Sequence, residues 1–156
     1  MTEADRGLVH RKLALMARNL EDLGAIANLS LEEFTDDRFR QKGTERLLQE
    51  VIEAAVDVNL HLLRVLHHSS ATDYFTSFVR LADAGVLTRD LAERLAPAAG
   101  LRNRLVHEYD DIDDAIILAA VTEARERLPH LAPSLDVQLR RDVAKAESPP
   151  ATRPSS

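Results

Sequence analysis

Arg46-Leu47-Leu48-Gln49-Glu50-Val51-Ile52-Glu53-Ala54-Ala55-Val56-Asp57-Val58-Asn59-Leu60-His61-Leu62-Leu63-Arg64-Val65-Leu66 is the stretch that decides the fold class. Leu47, Leu48, Val51, Ala55, Val58, Leu62 and Val65–Leu66 recur at steps of three and four, the spacing of one face of an α-helix. The spacing predicts a helix over about Arg38–His67, capped by Asp36 or Asp37, with Gly43 a weak point near its start.

Working outward, a second stripe of Leu8, Leu13, Leu15, Leu20, Leu23, Ala25 and Ile26 predicts a helix from Asp5 to Asn28. Ser30-Leu31-Glu32-Glu33 has the form of a capping box and opens a short turn of helix. Beyond the polar break at Ser69, Ser70 and Thr72, Asp73 caps a helix over Tyr74–Ala84, closed by Gly85 in the C′ position. Thr88 starts a segment that reaches His107. Pro97 must kink that segment or begin a second one, because proline has no N–H to donate. Asp111-Ile112-Asp113-Asp114 caps a helix over about Asp113–Leu128, Pro129 and Pro133 interrupt it, and Ser134 caps a last piece to Ala146. The expected architecture is all-α, a bundle of four to five helices. Residues 1–133 form the bundle, 134–146 a C-terminal helical extension and 147–156 a disordered tail.

Composition agrees and narrows the function. The chain has 156 residues, 4% aromatic and 45% hydrophobic, with 5 Gly. Such a length suits one domain, and the low Gly and aromatic content argues against a β-sandwich or a dinucleotide-binding unit. No Gly-rich phosphate loop occurs. Zero Cys excludes a disulfide framework, a thiol nucleophile and an iron–sulfur cluster. The longest apolar run, Ala115–Val121, is far shorter than the roughly 20 residues of a membrane span. The N-terminus carries acids and leads into no apolar signal region. A soluble cytoplasmic protein with no membrane association is expected. A net charge of −6 argues against a general nucleic-acid coat and leaves room for one local cationic cleft.

No metal or cofactor is expected. A bundle di-iron site takes Glu-x-x-His pairs, whereas the residues three before the six histidines are Gly7, Val58, Arg64, Val65, Arg104 and Arg127. Asp57 and His61, at i and i+4, are close enough to hydrogen-bond. His67–His68 reads as the positively charged end of its helix.

The segment with chemistry in it is Leu101-Arg102-Asn103-Arg104-Leu105-Val106-His107-Glu108-Tyr109. At about 100° per residue, Leu95, Val106, Tyr109, Ala98 and Leu105 all fall within about 60° of Arg102, which therefore sits inside an apolar stripe. Asn103 and His107 follow as an i, i+4 pair. An arginine in that position is paired in the core or faces a partner, because an unpaired buried charge costs several kcal/mol. The candidates for a core pairing are Glu50, Glu53 and Asp57. The other reading is chemical. A permanent cation, an amide and an imidazole are what metal-free RNA cleavage needs: Arg102 holds the phosphate, Asn103 orients it, and His107 moves the proton of the ribose 2′-OH. One imidazole per chain cannot easily be both acid and base, which favours a homodimer with two motifs face to face.

At these residues the chain resembles the HEPN superfamily, and most closely the HepT toxins of HepT/MntA toxin–antitoxin systems. The signature is Arg, a polar residue, three more, then His, here Arg102 to His107, extended by Tyr109. Gly100-Leu101 before the motif, Asp110-Asp111-Ile112-Asp113 after it, and Glu45-Arg46 through Asp57-x3-His61 belong to the same resemblance, which spans about Leu13 to Leu128. The resemblance implies a dimeric helical bundle with both motifs in one cleft and metal-independent endoribonuclease activity in a type VII-like toxin–antitoxin pair. It also implies a partner, an MntA-like nucleotidyltransferase antitoxin that neutralises the toxin by adding AMP to the motif tyrosine, here Tyr109. The alternative is a non-catalytic HEPN module that binds a nucleotide or its nucleotidyltransferase partner, and a third reading is a plain helical interaction protein.

Overall fold

The computed structural model describes residues 1–67, 73–107 and 112–150. Every regular element among them is helical: α1 (Glu3–Asp22), α2 (Gly24–Ala27), α3 (Leu31–Thr35), α4 (Arg38–His67), α5 (Ser77–Asp83), α6 (Arg89–Leu95), α7 (Pro97–His107), α8 (Asp114–Arg127) and α9 (Leu131–Glu147). A 3₁₀ turn, Leu128–His130, joins α8 to α9. The five longest, α1, α4, α7, α8 and α9, make the frame; the short ones fill its corners.

The caps explain most boundaries. Thr2 and Asp5 form a reciprocal capping box that starts α1 two residues earlier than the apolar stripe suggests. The Ser30 and Thr88 hydroxyls accept from Glu33 N and Leu91 N, opening α3 and α6 as expected. Asp37, rather than Asp36, caps α4 by accepting from Arg40 N at 3.1 Å. Gly85 takes φ 78° after α5, the left-handed turn that glycine adopts without strain.

Two expected helices are divided. The segment expected from Asp5 to Asn28 breaks at Leu23, where Ile26 N donates to Leu23 O at 3.0 Å and tightens the chain before α2. Gly24, of a type that continues a helix less readily than any residue but proline, stands at this break. The segment from Thr88 to His107 divides at Pro97, which begins α7 at the N1 position, where a missing N–H costs nothing. Pro133, by contrast, interrupts nothing. It lies in the first turn of α9, whose N–H groups need no helical acceptor. Ser134 is then inside that helix, and its hydroxyl donates to His130 O at 3.2 Å instead of capping.

Helix α4 is the axis of the molecule and packs against α1, α3, α5, α7 and α8. Three consecutive residues, Ala54, Ala55 and Val56, are all buried, so α4 is enclosed on more than the one face its stripe announced. Val9, Leu13, Met16 and Leu20 of α1, Phe78 and Leu81 of α5, and Ile117 and Val121 of α8 complete a continuous core around it. Leu131, Leu135 and Leu139 bind α9 to that core. Among the described residues no helix is long and apolar enough to cross a membrane. The last six residues of the expected tail, 151–156, lie outside the described residues.

Candidate active site

Arg102 leaves α7 toward α4, the side its position in an apolar stripe required. There it meets Glu53: Nε and Nη2 both lie 3.0 Å from Glu53 Oε1. The same carboxylate oxygen accepts from Gln49 Nε2 at 3.0 Å. The guanidinium carbon stands 4.6 Å from the centroid of the Tyr74 ring, a cation–π distance. Side-chain exposure is 19% for Arg102 and 27% for Glu53, so water does not screen the pair as it would an open surface bridge. Of the three acids that the sequence offered as partners, Glu53 is the one used.

This pairing occupies one edge of the guanidinium. Nη1 takes no part in it and donates to Asn103 Oδ1 at 3.4 Å, a long contact. The terminal edge of the fork thus keeps donors for an incoming anion while the other edge is fixed. A core ion pair and a poised anion-binding group are compatible in this geometry.

Asn103 and His107 are exposed. They share a face by their i, i+4 spacing, and His107 is the last residue of α7. Arg102, Asn103 and His107 therefore sit on one eleven-residue helix, the cation gripped and the imidazole open to solvent. Tyr109, expected to border the site, lies outside the described residues, as do Asp110 and Asp111.

The Asp57–His61 pair does not form. Asp57 Oδ2 instead accepts from Lys12 Nζ of α1 at 2.9 Å, and His61 Nε2 lies 3.0 Å from Asp5 Oδ1 of the same helix. Each residue reaches across to α1, which lies along this face of α4, in place of its helical neighbour. His61 Nδ1 is 2.9 Å from Arg64 Nη2. The two contacts tie α1 to α4. Asp5 has its pKa lowered chiefly by hydrogen bonds from the backbone N–H and the hydroxyl of Thr2, then by His61. His67 is exposed in the last turn of α4, and His68 lies outside the described residues.

Tyr74 is the site residue that sequence reasoning missed. The helix expected to begin at Tyr74 under an Asp73 cap begins only at Ser77, so Tyr74 lies in the turn before α5, where a helical wheel could not aim it at Arg102. The one available signal was indirect: a buried arginine calls for more than one neighbour to replace its water.

The described residues thus define an all-helical bundle that carries an Arg-x4-His motif on one helix, its arginine clamped and its imidazole exposed. Residues 16–135 match the family model described as Ribonuclease HepT-like. The chain is 39% identical over 129 residues to the tRNA nuclease HepT of Aphanizomenon flos-aquae, covering 83% of this chain and 88% of that protein. To the mRNA nuclease HepT of Shewanella oneidensis it is 29% identical over 115 residues, 74% of this chain and 80% of that one. The fold superposes on the tri-AMPylated Shewanella oneidensis HEPN toxin, solved in complex with MNT antitoxin, with a TM-score of 0.75 at 23% identity, over 88% of this chain and 99% of that chain. The chain belongs to the HepT-like ribonuclease family.

Proposed function

We propose that this chain is a metal-independent endoribonuclease, the toxin of a toxin–antitoxin pair. It acts in the cytoplasm as a two-fold homodimer and is silenced when an MntA-like nucleotidyltransferase adds AMP to Tyr109. The observation that carries this reading is the clamped Arg102, with its terminal edge open, on the same helix as an exposed His107. Membership of a ribonuclease family, and relatives named as tRNA and mRNA nucleases, support RNA as the substrate.

Arg102 binds the scissile phosphate by charge-assisted hydrogen bonds and offsets the charge that builds on it. Asn103, whose amide both donates and accepts, orients the phosphate or the 2′-OH. The ribose 2′-oxygen forms a bond to phosphorus, the bond from phosphorus to the 5′-oxygen of the next nucleotide breaks, and a 2′,3′-cyclic phosphate results. His107 takes the proton from the 2′-OH, and the second protomer's copy of that imidazole protonates the leaving oxygen.

The test is incubation of the purified protein with tRNA and with total RNA in EDTA. Discrete fragments with cyclic phosphate ends are expected. Intact RNA, or cleavage that disappears with EDTA, would overturn the reading.

A further inference from the structure

We propose that Tyr74 is a positioning residue for Arg102, and that α4 sets the arginine's direction from two points at once. The proposal rests on the reading of Arg102 as the phosphate anchor. The first point is Glu53, which holds the Nε/Nη2 edge at 3.0 Å on both nitrogens. The second is less direct. Asn59 Nδ2 donates to Ser77 Oγ at 3.2 Å, and the Ser77 hydroxyl donates to Tyr74 O at 3.1 Å. Asn59 and Ser77 are both fully buried. The backbone of Tyr74 is thereby tied to α4, six residues or about 9 Å along the helix from Glu53.

The two anchors do different work. Glu53 fixes where the guanidinium sits in its own plane. The Tyr74 ring, 4.6 Å from the guanidinium carbon, fixes the tilt of that plane. A carboxylate alone would leave the plane free to turn about the line from Oε1 through Cζ to Nη1, and the N–H bonds of the terminal edge would turn with it. With the ring across one face, the terminal edge points one way. Alignment of that edge matters most in the transition state, where charge on the phosphate is greatest.

The ring carries the effect, so the Tyr74 hydroxyl is dispensable. Tyr74→Leu keeps an apolar side chain of similar bulk and removes the π face. With tRNA as the probe, Tyr74→Leu should lower kcat/KM roughly tenfold, the scale of a partly desolvated cation–π contact, while Tyr74→Phe restores it. In an Arg102→Ala background Tyr74→Leu should add less than about a further twofold loss, because a residue acting through Arg102 has nothing left to act on. A merely structural role would give additive losses.

A second readout needs no cleavage. In ¹⁵N-labelled protein, the Arg102 Nε–H signal should be ring-current shifted in wild type and in Tyr74→Phe, and should return to the ordinary arginine position in Tyr74→Leu. An all-deoxy oligonucleotide should perturb that signal at lower concentration in wild type than in Tyr74→Leu. Additive losses in the cycle, failure of Tyr74→Phe to restore activity, or an Arg102 signal unchanged by Tyr74→Leu would each overturn the proposal. If wild type cleaves no RNA yet the signal shifts and responds to the oligonucleotide as stated, the nuclease reading falls and the positioning role stands.

Discussion

Arginine is fixed in charge and histidine is not, and the division of labour proposed for Arg102 and His107 rests on that difference. Arg102 is gripped by Glu53 and Tyr74, where permanent charge is needed. His107 is left in solvent, where proton exchange is fast. His107→Ala should lower RNA cleavage by about 10²–10⁴-fold, the usual worth of a positioned acid–base group, with the thermal melt unchanged because the side chain is exposed. Arg102→Lys should fail by a comparable factor in the same assay, since one ammonium cannot hold Glu53 side-on and still present a second donor edge. Asp5 makes a separate prediction about stability. Its folded pKa is lowered from 3.8, mainly by the Thr2 N–H and hydroxyl. A depressed carboxylate contributes stability that is fully present above the unfolded pKa and is lost as pH falls through the lower folded value. Asp5→Asn should therefore be less stable than wild type in denaturant melts at neutral pH, and the gap should close below about pH 4. An unchanged gap at pH 2.5 would contradict this. The wheel through residues 95–109 placed Arg102 inside an apolar stripe, paired in the core or facing a partner, because period and apolar spacing are properties of the chain itself. It offered three acids and could not choose, because that choice depends on the register between two helices. The Asp57–His61 pairing failed for the same reason: Lys12 and Asp5 are distant in sequence, and spacing on one helix says nothing about them.

Elements were legible in proportion to their length and the clarity of their stops. Helix α4 runs from Arg38 to His67, as its stripe and its aspartate cap foretold. Pro97 was readable as a break or a kink, and its N1 position resolves it as a new start. Thr2 was overlooked as a cap because its partner was an aspartate and the apolar period begins later. Gly43 supplies a test at this scale. It sits inside α4, exposed, with helical neighbours on both sides, and a Cβ built there meets no atom within 4 Å. Its φ is not in the left-handed region that glycine alone occupies freely. Nothing in the fold requires glycine, so Gly43→Ala should stabilise the protein by about 0.5–1 kcal/mol through a less flexible unfolded chain and better helix propensity. Urea titration should show the midpoint rising with an unchanged slope. A fall in stability would mean that the surface over Gly43 is covered by something in solution that a methyl group disturbs.

For the molecule as a whole, a single motif presents one imidazole, and the proposed chemistry uses two protons in flight. Light scattering should give about twice the 17.4 kDa of one chain across micromolar concentrations, and a mass of one chain would remove the two-motif mechanism. Control is the consequence that reaches furthest. Tyr109 stands seven residues after Arg102 in the sequence, and its phenolic oxygen is the proposed acceptor of AMP. The added phosphodiester carries about one negative charge, which suits the open terminal edge of Arg102 as well as a substrate phosphate does. The modified side chain would then fill the site from within its own chain, where its effective concentration is far above that of any free RNA. Inhibition on this account needs no change in fold, and a modified toxin should melt as sharply as the free one. Co-expression with the partner nucleotidyltransferase should add AMP to wild type and none to Tyr109→Phe by intact-mass spectrometry. Tyr109→Phe should stay toxic and resist the enzymatic part of rescue. Chains have only two tyrosines, so the outcome is sharp: AMP on Tyr74 instead would place the modification on the ring that orients Arg102, and silencing would then come from misalignment of the arginine rather than from occupation of its open edge.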